Sequence, residues 1–178
     1  MHKHLYFVCP SDNLESLIDK KFPQENYFLS SLGSSISFNS DFIEEVNALI
    51  ESKGIEKITF VLSDDNKLVH DGIKNQNFGN INDLRKLYKN ISDHKRLTTK
   101  VYLEKNAQKL ITSHLLKQKI NEMNMNLSEW LSSKVNIDAK IYSRNNDSFN
   151  GVPSNLIEPN NVFLNLLNQI NNNLSMLT

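Results

Sequence analysis

The stretch Ile55–Gly72 reads IEKITFVLSDDNKLVHDG. Six of the eight residues from Ile55 to Leu62 are β-branched or large apolar, the composition of a strand buried on both faces. The run then breaks into Ser63, Asp64, Asp65 and Asn66. Open α/β sheets bind their ligands beyond the carboxyl ends of buried parallel strands. The break therefore marks both a strand end and the expected place of a site.

Outward from this stretch, strand and helix patterns alternate. Phe42, Val46, Leu49 and Ile50 fall at helical spacing, with Ser40 or Asp41 as the expected cap and Gly54 as the left-handed stop. Tyr27–Leu32 reads as the strand before that helix and ends in Gly33-Ser34-Ser35. Strand, helix and strand with short joints predict parallel strands joined by a right-handed crossover. Leu5–Val8 is a further strand, stopped by Pro10. Asp12 or Asn13 is the expected cap of a short helix over Leu14–Ile18.

Downstream, Leu68–Ile73 predicts a helix, and 78–82 a loop. Asn82 or Asp83 is the expected cap of a helix carrying Leu84, Leu87, Tyr88 and Ile91. The longest helical pattern runs from Leu103 to Met123. Asn126 and Glu129 form a capping-box variant ahead of Trp130. Val135–Ile141 alternates apolar and polar residues, as a half-exposed strand near an edge does, and Asn150-Gly151 is a tight-turn signal. A last amphipathic helix opens at Asn160 or Asn161 and carries Phe163, Leu166, Leu167, Ile170 and Leu174; its apolar face suits the sheet or a second subunit. The expected fold is α/β: a single domain over residues 1–178, a three-layer sandwich with a mainly parallel central sheet of four or five strands.

Composition narrows the function. Lys plus Arg is 20 and Asp plus Glu is 20, so no basic excess points to nucleic acid. No apolar run approaches the roughly 20 residues of a membrane helix. The single cysteine excludes an internal disulfide and fits a reducing, cytoplasmic setting. The 26 asparagines accompany a mean hydropathy of −0.45 and read as solvated surface. P-loop, dinucleotide and nucleophile-elbow signatures are absent.

The order of the strand ends, FVCPSDN, YFLSSLGSSI, ITFVLSDDNKL and VNIDAKIY followed by Asn150-Gly151, resembles that of the β-class carbonic anhydrases over Leu5–Val152. In that family the first strand ends in Cys-x-Asp-x-Arg, the second in an Arg-Asn-x-Gly-Asn-like turn, and the third in Gly-His-x-x-Cys-Gly. Two cysteines and a histidine hold zinc, ligand types that zinc prefers. The resemblance puts Cys9 at the first ligand position, Ser63 at the histidine and Asn66 at the second cysteine. Ser11 and Asn13 stand for the Asp-Arg pair, with Asp12 between them. Ser30 stands for the arginine of the second motif, and its glycine is Gly33. A serine and an amide do not replace an imidazole and a thiolate. Without a metal, water keeps a pKa of about 15.7 instead of about 7.

The resemblance thus implies a zinc-free pseudoenzyme without a cofactor, acting as a binding or interaction module for a small ligand or protein partner. It also allows a homodimer. The candidate cleft comprises Cys9, Ser11, Asp12, Ser31 and Gly33 from the first two strand ends. Ser63, Asp64, Asp65, Asn66 and His70 complete it from the third. The alternative is an enzyme of hydratase, other lyase or hydrolase type. It would use Cys9 as nucleophile or ligand, Asp12, Asp64 or Asp65 as base, and His70. Each residue also has a plain reading: a lone cysteine is most often a packed hydrophobe, and Asp64 and Asp65 diverge in an extended chain and suit loop solvation.

Overall fold

The computed structural model describes residues 2–74, 81–98, 104–127 and 134–152. Strand β1 (Lys3–Val8) is followed by a 3-10 turn, Pro10–Asp12, and helix α1 (Glu15–Lys21). Strand β2 (Glu25–Ser30) leads through the turn Leu32–Ser34 to helix α2 (Ser40–Lys53) and strand β3 (Lys57–Ser63). Helices α3 (Lys67–Ile73), α4 (Asn82–Thr98) and α5 (Glu104–Asn126) precede β4 (Asn136–Ser143) and β5 (Ser148–Gly151). The sheet order is β2-β1-β3-β4-β5, with β1 to β4 parallel and β5 antiparallel on the edge. This is the mainly parallel α/β sheet expected from the strand runs. The C-terminal helical pattern, the segment around Trp130 and most of the 78–82 loop lie outside the described residues.

Alternation along the strands sorts the core into two layers. Leu5, Phe7, Ile58, Phe60 and Leu62 face α2, α3, α4 and α5, with Phe7 and Phe60 stacked at 4.7 Å. Tyr6, Val8 and Val61 face the other way, against Leu14 and Ile18 of the α1 region. The second face also carries a polar row. Gln24 Nε2 donates to the Tyr6 hydroxyl at 2.9 Å, and that hydroxyl lies 3.1 Å from His4 Nδ1. His4 Nε2 lies 2.8 Å from Thr59 Oγ1, which donates to Asp138. A carboxylate only accepts, so the Thr59 proton goes to Asp138 and His4 donates from Nε2.

Some local expectations shift. The α2 cap is Asn39, whose side chain accepts from the Phe42 N–H at 2.9 Å, one residue before Ser40. Gly54 is left-handed, φ 67°, as expected of a helix stop. Asn82 is the first residue of α4 and so does not cap it from outside. The expected turn at Asn150-Gly151 is a correction: both residues pair in β5, opposite Ile141 and Lys140. The β4–β5 turn is Arg144-Asn145-Asn146-Asp147, with Asp147 at φ 45°. Asn and Asp tolerate such turn conformations, so this run is the better turn former. No helix among the described residues is long and apolar enough to cross a membrane.

Candidate functional site

The carboxyl ends of β1, β2 and β3 meet. The Ser31 N–H donates to the Val8 carbonyl at 2.9 Å, so the chain leaves β2 beside the end of β1. Gly33 then takes φ 56°, and a Cβ there would stand 2.6 Å from Leu87 Cδ2 on α4. Only glycine fits that approach, and it brings its N–H to within 3.1 Å of Cys9 Sγ. Cys9 is fully buried, and its sulfur also lies 3.1 Å from Ser11 Oγ.

Asp12 is the centre of the arrangement. It is buried, 2% exposed, and its carboxylate does not cap α1: the α1 N-cap is Leu14, without a side-chain bond. Instead Asp12 Oδ2 accepts from the Ser63 N–H and Oδ1 from Asn66 Nδ2, both at 2.8 Å. Asn66 Oδ1 accepts from the Val69 N–H at 3.1 Å and caps α3. The two polar ends of one buried amide thus tie the chain just after β1 to α3. Burial raises the Asp12 pKa, and the bonds from Ser63 and Asn66 oppose that rise without cancelling it.

Ser63 Oγ donates to Asp65. Arg144, from the β4–β5 turn, donates from Nε to Asp65 Oδ1 at 2.9 Å and from Nη2 to the Asp12 carbonyl at 2.8 Å. Burial opposes ionisation of Asp65, but the Ser63 and Arg144 hydrogen bonds outweigh it and hold its carboxyl below the usual range. The Asp64 N–H donates to the Tyr142 carbonyl at 2.8 Å, while its carboxylate makes no described hydrogen bond.

The structure therefore brings Cys9, Ser11, Asp12, Gly33, Ser63, Asp65 and Asn66 into one connected cluster. Ser31 joins it through its backbone, and Asp64 borders it. His70 stands apart: its ring is 45% exposed on α3 and its nearest acid is Asp71, at 4.0 Å. Arg144 is the residue that sequence reasoning missed. It lies 132 residues from Asp12, and the Asn-Asn-Asp run that follows it, a turn-forming composition, is the signal that could have found it. Among the described residues, no three His, Cys, Asp or Glu side chains are grouped so that they could share a metal ion.

No protein-family model matches the sequence, and no curated protein matches it. Solved structures do match. The wild-type β-carbonic anhydrase CafD of Aspergillus fumigatus superposes with a TM-score of 0.69 at 12% identity, over 86% of this chain and 90% of that one. A tetrameric β-carbonic anhydrase from Sordaria macrospora gives 0.67 at 10% identity, over 85% and 80%. The A. fumigatus enzyme CafA gives 0.67 at 11%, over 84% and 74%. The chain has the β-carbonic anhydrase fold.

Proposed function

We propose that this chain is a β-carbonic anhydrase-like protein that works without zinc, as a binding or interaction module. The observation that carries the reading is the hydrogen bonding at the three positions that the sequence resemblance assigns to the family's metal ligands. Cys9 Sγ accepts from the Gly33 N–H, Ser63 Oγ donates to Asp65, and both polar atoms of Asn66 are bonded within the protein. Serine and amide oxygens are neutral, hard donors, whereas zinc selects thiolate, imidazole and carboxylate. The one carboxylate at the centre, Asp12, is turned toward two donors and is itself disfavoured as an anion by burial. The donor set does not fit the metal, and no chemical step is assigned through it.

The experiment is a carbon dioxide hydration assay of the full chain with and without added zinc. Activity at background in both is expected. Hydration that appears with zinc and is abolished by Cys9→Ser would reject the reading. The enzyme alternative keeps Cys9 as a nucleophile, and a nucleophilic thiol has to be reachable. Cys9 is fully buried, which favours the non-catalytic reading. Alkylation of native protein as fast as of unfolded protein would favour the enzyme instead. The likeness to tetrameric relatives supports self-association of this chain, read by light scattering as more than one chain per particle.

A further inference from the structure

The polar row on the second face of the sheet converges on one nitrogen lone pair. His4 is buried, and its Nε2–H donates to Thr59 Oγ1, whose own proton goes to Asp138. Neutral His4 therefore keeps Nδ1 bare, as an acceptor. Two donor groups face that nitrogen at 3.1 Å, the Tyr6 hydroxyl and Gln24 Nε2. Gln24 Nε2 also donates to the Tyr6 hydroxyl at 2.9 Å and so closes a triangle. Tyr6 is fully buried and stacks on the His4 ring at 4.2 Å, which holds both rings in place. Gln24 is the partly exposed member, in the corner Phe22-Pro23-Gln24 between α1 and β2. The corner lines a cavity of about 430 Å³ at the amino edge of the sheet. The charges that face His4 are Lys57 from β3 and Asp138 and Lys140 from β4, with Lys57 and Asp138 paired at 2.7 Å. At the cavity rim His2 pairs with Glu56 and Lys3 with Glu25, and Asp19 of α1 faces Tyr6.

We propose that His4 is a proton switch for this corner: a proton taken up at Nδ1 expels the Gln24 NH2 from the row and frees the corner from β1. A protonated imidazole donates from both nitrogens. Nδ1–H then faces the Gln24 NH2 donor against donor, and the Tyr6 proton loses its acceptor. The two rings are packed and the amide is not, so Gln24 is the group that moves. Lys57 and Lys140 oppose the new charge, while Asp138 receives it through Thr59. Burial, aided by Lys57, lowers the His4 pKa from 6.5 to about 4, so the row is intact near neutral pH and switches in acid.

The test is a pH titration of the isotope-labelled full chain by NMR, reading the His4 ring nitrogens, the Gln24 side-chain amide and the Phe22 backbone amide. Near pH 7, His4 is expected as the Nε2–H tautomer. In acid, the Gln24 and Phe22 signals should move with the His4 midpoint, and exchange of the Gln24 side-chain amide with water should rise about tenfold, the loss of one hydrogen bond. Gln24→Met removes the donor that favours the neutral ring, so the His4 midpoint should rise toward 6.5. In His4→Gln the corner signals should stay still through the same range. Titration of His4 with a stationary Gln24 side chain would overturn the switch. So would corner signals that still move in His4→Gln, or a His4 midpoint unchanged in Gln24→Met. Loss of all amide signals at once, with no earlier change at the corner, would overturn it as well. Zinc content and hydration activity do not enter this readout, so it stands or falls separately from the zinc-free reading.

Discussion

Asn66 donates from Nδ2 to Asp12 Oδ1 at 2.8 Å, joining two strand ends that are 54 residues apart in the chain. Both ends of the Asn66 amide are used within the protein, since its Oδ1 also accepts from the Val69 N–H at 3.1 Å.

Asp12→Ala leaves the Ser63 N–H and the Asn66 amide without their acceptor. Each buried donor left unpaired costs about 1–3 kcal/mol, so a loss of about 3 kcal/mol is expected in urea unfolding. The pH dependence has a definite sign. Burial raises the folded-state pKa of Asp12 above 3.8, so its contribution is complete below that value and is lost as pH rises through the raised one. The stability gap between wild type and Asp12→Ala should therefore narrow as pH rises above 3.8. A gap that widens with pH would contradict the assignment.

Gly33 and Gly54 separate strain from collision. Both have positive φ, 56° and 67°. A Cβ at Gly54 meets nothing within 4 Å, whereas at Gly33 it meets Leu87 at 2.6 Å. Gly54→Ala should cost about 1 kcal/mol from backbone strain alone. Gly33→Ala should cost at least about 1 kcal/mol more, because overpacking adds to the strain. Equal costs in denaturant unfolding would mean that the loop does not press on α4.

His4 should make the protein sensitive to acid. Burial, aided by Lys57, lowers its pKa from 6.5 to about 4. A depressed folded pKa gives stability that is complete above the unfolded value of 6.5 and lost as pH falls through about 4. His94 is lowered to about 4 as well, so it acts in the same window. Between these limits, His4→Gln should lose stability less steeply than wild type. Parallel slopes would show that His4 titrates normally.

The strands were legible because burial on both faces leaves a local mark: β-branched and aromatic runs such as Ile58–Leu62, bounded by polar residues. The same strand ends placed Cys9, Gly33 and Ser63–Asn66 in one region. The partners within that region were not legible. Asp12 sits in a sequence context that suits a helix cap, and only the 3-10 turn Pro10–Asp12 rotates it toward Ser63. Arg144 reaches Asp12 and Asp65 from the Arg144–Asp147 turn, whereas the sequence expectation put the turn at Asn150-Gly151, which pairs as β5. His70 follows the cleft loop closely in sequence, but the helical turn of α3 carries it to an exposed surface.

Arg144 should matter little to stability. Its ion pair with Asp65 is 44% and 58% exposed on the two sides, and exposed pairs contribute about 0–1 kcal/mol. Arg144→Gln is expected to cost less than about 1 kcal/mol, with the cost shrinking in high salt. A larger loss that salt leaves unchanged would identify its bond to the Asp12 carbonyl as the dominant one.

The zinc-free reading rests most directly on metal stoichiometry. The measurement is elemental analysis of tag-free full chain produced with added zinc and then dialysed. Zinc far below one equivalent per chain is the predicted result, equal in wild type and Cys9→Ser. One equivalent retained by wild type and lost in Cys9→Ser would contradict it, and would show that the carboxyl ends of β1 and β3 still assemble a metal centre.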